Sequence, residues 1–69
     1  MNLRELREAN KKTVAEVAKV LGVGVNAIYY YERGIRCINI EQVLILSEFY
    51  DVGADDVIKA QINSRQKDQ

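Results

Sequence analysis

Apolar and polar positions recur along this chain with the 3.6-residue period of a helix, in five blocks. Leu3 and Leu6 begin the first, which ends near Ala9-Asn10, and Asn2 stands where it can cap it. Val14, Val17, Ala18 and Leu21 form one face of the second. Thr13 precedes that block as a natural N-cap, and Glu16 completes a capping box. Gly22 follows Leu21, where a helix needs a left-handed stopping residue. The period resumes with Ile28 and Tyr31, in a helix entered from Gly24. Ile35 to Asn39 is a loop. Asn39 caps a fourth helix from Ile40 to about Tyr50, with Ile40, Val43, Leu44 and Ser47 expected inward. Asp51-Val52-Gly53 breaks it, and Asp55 and Asp56 fall in the first turn of a last helix, where its dipole favours negative charge. The pattern predicts an all-α, five-helix domain over residues 1–62 and a polar, frayed tail over residues 63–69.

Val-Gly-Val-Gly-Val followed by Ile-Tyr-Tyr-Tyr is rich in strand formers, so local propensity alone also allows a β-hairpin. Helical periodicity on both flanks, and the absence of strict alternation in the tyrosine run, favour helix. Two helices joined by so tight a turn must cross steeply. Ile28 and Tyr31 then anchor the second of them, leaving Val25, Asn26, Tyr29, Tyr30 and Arg33 on an outer face of a size that enters a DNA major groove.

The stretch from Leu3 to Val57 resembles the helix-turn-helix domain of the lambda-repressor-like (Xre/Cro) family. The register holds without a gap through five helices, and Leu21-Gly22-Val23, Ile28, Glu32-x-Gly34 and Arg36 match closely. A lone Leu-Gly-Val is weak; the whole set in one register is specific. The resemblance implies base contacts from Val25, Asn26 and Tyr30. Asn26 alone among these can make a bidentate pair, and adenine is its preferred partner; Val25 suits a thymine methyl. Arg33, Arg36, Lys11, Lys12 and Tyr29 are the expected phosphate contacts. Arg7 and Glu32 match positions that form a partly buried ion pair in the family, fixing the angle of the recognition helix. Three positions depart from the pattern: Val14 stands where a phosphate-binding glutamine is common, Gly24 where a serine caps, and Arg33 where asparagine is usual.

Composition adds little except in its distribution. Ten basic and ten acidic residues cancel. Residues 1–36 hold seven basic and four acidic, net +3, while residues 37–69 hold three and six, net −3. This describes a polarised domain with a modest phosphate-facing side. Sixty-nine residues make one small domain and leave no room for a separate sensor, so control is expected through concentration, a partner or the tail. No apolar run is long enough to span a bilayer, and the N-terminus lacks the apolar core of a signal peptide. With its single cysteine, the chain fits a reducing cytoplasm.

Enzymatic chemistry is not expected. There is no histidine, and Cys37 has neither a base partner nor metal co-ligands. No metal or cofactor is implied. The expected function is a transcriptional regulator, a repressor by default, that binds a two-fold related double-stranded DNA operator as a homodimer. An isologous interface is expected on Ile45, Phe49 and Val52, edged by Ile35 and Ile38, holding two recognition helices about 34 Å apart. The alternative is an antitoxin-like or adaptor module, in which the same fold binds another protein. Near-neutral charge, the missing glutamine and the tyrosine-rich outer face favour it.

Overall fold

The computed structural model describes residues 1–66; residues 67–69 of the expected tail lie outside the described residues. The five expected helices are present, and there is no strand among the described residues. They are α1 (Leu3–Ala9), α2 (Val14–Leu21), α3 (Val25–Glu32), α4 (Ile40–Phe49) and α5 (Ala54–Gln66).

Local hydrogen bonding explains where they begin and end. Asn2, Thr13 and Asn39 each accept from the backbone N–H three residues on, while Glu5, Glu16 and Gln42 reach back to the cap's own N–H. Each box satisfies two otherwise orphaned donors. The Thr13 contacts also hold the Glu16 carboxyl below its usual range. At the other ends, α1 to α4 all stop on a left-handed residue: Lys11, Gly22, Gly34 and Asp51. After each, a backbone N–H reaches back across the last turn, as Val23 N does to Ala18 O and Val52 N to Ser47 O. This is the Schellman arrangement.

Gly22, at φ +70°, has open space around the position of a Cβ. Gly22→Ala is therefore expected to cost only the backbone strain, on the order of 1 kcal/mol, read as a lowered midpoint in a thermal melt with an unchanged fold.

Ile28, Val57 and Val17 lie at the centre of the core, with Leu3, Leu6, Tyr31, Leu46 and Tyr50 around them. Three outcomes differ from the pattern reading. In α4 the buried positions are Val43 and Leu46, continued by Tyr50, whereas Ile40 and Leu44 face outward and Ser47 is half-buried. The helix is apolar on nearly every side, so periodicity could not choose its face. The expected tail is helical through Gln66, and Ser64 is wholly buried, accepting from Leu3 N at 2.9 Å. A serine hydroxyl that satisfies the first backbone donor of α1 explains a polar residue inside. Finally, Ile38 belongs to the core, not to the surface, because its N–H donates to Gln61 Oε1 at 3.1 Å and draws the loop onto α5.

Candidate nucleic-acid interface

The short turn after Gly22 sets α3 across α2. Ile28 and Tyr31 point inward, and Glu32 is buried at the far end. Gly24 opens the helix in extended geometry without a side-chain cap, and Arg33 closes it. Val25, Asn26, Tyr29, Tyr30 and Arg33 are all exposed, so one uninterrupted outer face carries both hydrogen-bonding and apolar side chains. Among the described residues, nothing covers that face.

The angle of α3 is held by a buried clamp. Arg7 donates to Glu32 through Nε at 2.6 Å and Nη2 at 3.2 Å, with side chains only 12% and 8% exposed. Its remaining nitrogen, Nη1, donates to Lys12 O at 3.1 Å. This two-pronged bond to Glu32 raises the Arg7 pKa further. Tyr50 lies nearby, and burial, reinforced by Glu32, pushes its hydroxyl up to about 12. The clamp joins α1, the link after it and the end of α3 into one unit, so the outer face is presented at one inclination.

The cationic groups divide. Arg33 and Arg36 are exposed beyond the end of α3, with the Arg36 guanidinium 6.0 Å from the Tyr31 ring. Lys11 is exposed at the end of α1. Lys12 is turned the other way: its ammonium sits 4.8 Å over the Phe49 ring, a cation–π contact that draws it toward α4. Arg4 was not singled out in the sequence. It lines a cleft with Arg7, Val14, Tyr29, Glu32 and Arg33, beside the end of α3. Its signal was the Arg4–Arg7 spacing, which places both on one side of α1. Val14 forms the apolar wall of that cleft, where a glutamine would offer a donor.

The residues expected to join two copies are scattered. Ile35 is exposed and Ile38 buried, while Ile45, Phe49 and Val52 are half-buried. Phe49 and Val52 pack on the core, and Phe49 lies 5.5 Å from the Tyr50 ring. Cys37 is exposed in the loop. Among the described residues, no helix is long and apolar enough to cross a membrane.

Comparison with known proteins agrees with this geometry. The family model for helix-turn-helix domains matches residues 3–57. An HTH-type transcriptional regulatory protein of Thermococcus kodakarensis is 32% identical over 65 residues, covering 90% of this chain and 20% of that protein. Another, from Pyrococcus furiosus, is 36% identical over 63 residues, covering 87% and 20%. The uncharacterized HTH-type regulator YobD of Bacillus subtilis is 30% identical over 56 residues, covering 81% and 50%. The chain thus spans a fifth to a half of the length of these relatives. No solved structure matches it.

Proposed function

The chain belongs to the lambda-repressor-like (Xre) helix-turn-helix family, a DNA-binding and non-enzymatic one, and on that premise we propose that it is a sequence-specific transcriptional regulator of the repressor type. The observation that carries this reading is the free outer face of α3, backed by Ile28 and Tyr31 and braced by the Arg7–Glu32 clamp. In the major groove, Asn26 pairs with adenine, Val25 packs on a thymine methyl, and Tyr30 lies against a sugar or methyl. Arg33, Arg36, Lys11, Tyr29 and the newly placed Arg4 hold phosphates on either side. One module of this size makes few contacts, so two copies bind a two-fold related site and block polymerase there.

Asn26→Ala is expected to cost about 1–3 kcal/mol on a site selected from a random duplex library, while binding to random duplex stays nearly unchanged. Arg33→Ala weakens both alike and lowers the salt slope by about one. Titration of both variants against both duplexes at several salt concentrations checks this. Identical profiles for the two would overturn the division into base and phosphate contacts.

The protein-binding alternative draws on one feature of the same face: its tyrosines, with Val14 removing a phosphate donor nearby. It requires affinity for random duplex to be weak and independent of salt, whereas phosphate contacts make that affinity fall steeply as salt rises.

A further inference from the structure

The outer tip of α3 is apolar and bare. Val25, its first helical residue, is 42% exposed. Gly24 before it adds no side chain and has open space around the position of a Cβ. No side chain of α3 therefore projects past the valine. Val25 and Tyr29, four positions apart, form one row of the outer face, and Asn26 and Tyr30 form the next. Tyr29 lines the cleft with Arg4 and Arg33, on the side given to phosphate, which leaves Val25, Asn26 and Tyr30 for the bases. α3 contains no lysine, arginine, histidine or glutamine, and its single charge, Glu32, is buried against Arg7. Arg33 stands well behind Val25, about 12 Å along the axis at roughly 1.5 Å per residue. The side chains of α3 that could fork onto guanine are thus absent from its tip.

We propose that this tip reads the methyl group of a pyrimidine and not the base that carries it, so that 5-methylcytosine replaces thymine opposite Val25 and binding responds to cytosine methylation. The inference rests on the DNA-binding reading and deepens it. In the major groove, thymine shows an acceptor, O4, beside its methyl, and cytosine shows a donor, N4. A side chain with a hydrogen-bonding end tells these two apart. Valine has none. Its branched Cβ holds it in one rotamer in a helix, so its two methyls form a fixed apolar surface. Thymine and 5-methylcytosine carry their methyl on the same ring carbon, so that surface meets the same group from either. Unmethylated cytosine leaves the valine without a partner and forfeits the apolar contact. Asn26, one position on, offers a donor and an acceptor side by side and takes its adenine from a neighbouring base pair, which fixes the register without constraining the pyrimidine that Val25 faces.

Fluorescence titration of the full chain with synthetic duplexes tests this, starting from the site recovered from a random duplex library. Each thymidine of that site is replaced in turn by deoxyuridine, which removes the methyl and keeps every hydrogen-bonding group. At least one replacement is expected to weaken binding about three- to fivefold, the worth of one buried methyl. Val25→Ala, an exposed change to a better helix former, abolishes that penalty at one thymidine and so marks the position Val25 faces. With cytosine placed there, 5-methylation is expected to strengthen binding by about the same three- to fivefold in the wild type and not at all in Val25→Ala. Should Val25→Ala fail to fold, the wild type decides, with thymine, uracil, cytosine and 5-methylcytosine compared at each thymidine position. A selected site without thymidine, or one that tolerates deoxyuridine everywhere, overturns the proposal. So does a methyl-dependent position at which 5-methylcytosine binds no better than cytosine, because the tip then reads the whole base. A chain that enriches no site and binds random duplex without salt dependence defeats the DNA-binding reading, and the proposal with it. A chain that enriches a site but is indifferent to the methyl defeats the proposal alone.

Discussion

Arg7→Met is expected to destabilise the domain by about 3–5 kcal/mol, and Glu32→Leu by a similar amount, because each leaves the other charge buried and unpaired. The clamp has two direct bonds, at 2.6 and 3.2 Å, and a third from Arg7 to the Lys12 carbonyl. Loss of Glu32 strands a guanidinium that is only 12% exposed, and loss of Arg7 strands a carboxylate that is 8% exposed. A domain of 69 residues has a total stability of roughly 3–10 kcal/mol, so either variant is near the edge of folding. The double variant is expected to recover most of the loss, since an apolar pair of similar volume carries no desolvation cost. Thermal melts of the two single variants and the double measure the coupling. Purely additive effects below about 0.5 kcal/mol would show that the two charges do not act as a pair. By contrast, Arg4 and Glu8, 3.2 Å apart but more than half exposed, are screened by water and contribute little.

Gly34→Ala is the second large effect. At φ +79° an added Cβ is strained by itself, and here it also meets Ser64 O at 2.5 Å and the Arg65 Cα at 2.8 Å. Both are backbone atoms of α5, which cannot rotate away. Strain and overpacking together are expected to cost about 2–5 kcal/mol, lowering the melting midpoint by at least about 8 °C. Gly22→Ala, strained but unobstructed, is the matched comparison. If both alanines cost the same, α5 does not press on the end of α3. The contact matters for function because Ser64 also accepts from the first backbone donor of α1. One turn of α5 thereby gathers the start of α1 and the end of α3, the two ends from which Arg4 and Arg33 reach the proposed DNA.

The outward face of α3 was legible before the fold was known, because two strong local signals bracket it. Gly22 stops α2 and the period resumes at Ile28, which leaves few positions for the residues between. Arg7 and Glu32, twenty-five positions apart, became a pair only through family resemblance; nothing in their own neighbourhoods joins them. The contact of Lys12 with Phe49 was not legible in the sequence, for a physical reason. As a surface lysine it suits phosphate, but its long stem also reaches Phe49, and sequence cannot weigh an aromatic ring that arrives from another helix.

By itself, the sequence determined the five helices, the caps of α1, α2 and α4 and the stops of α1 to α4, because a capping box or a left-handed turn is decided within four or five residues. It also determined the inward side of α2 and α3, where apolar residues occupy one stripe. Only the tertiary structure decided which side of α4 is buried, since Ile40, Val43, Leu44, Ile45, Leu46 and Phe49 spread over most of the helix and leave only a narrow polar strip at Glu41 and Glu48. It alone decided that Ser64 and Gln61 lie inside, because each is held by a backbone donor from the far end of the chain or from another loop. A polar residue enters a core only when its hydrogen bond is supplied there, and the supplier is chosen by packing, not by neighbours in sequence.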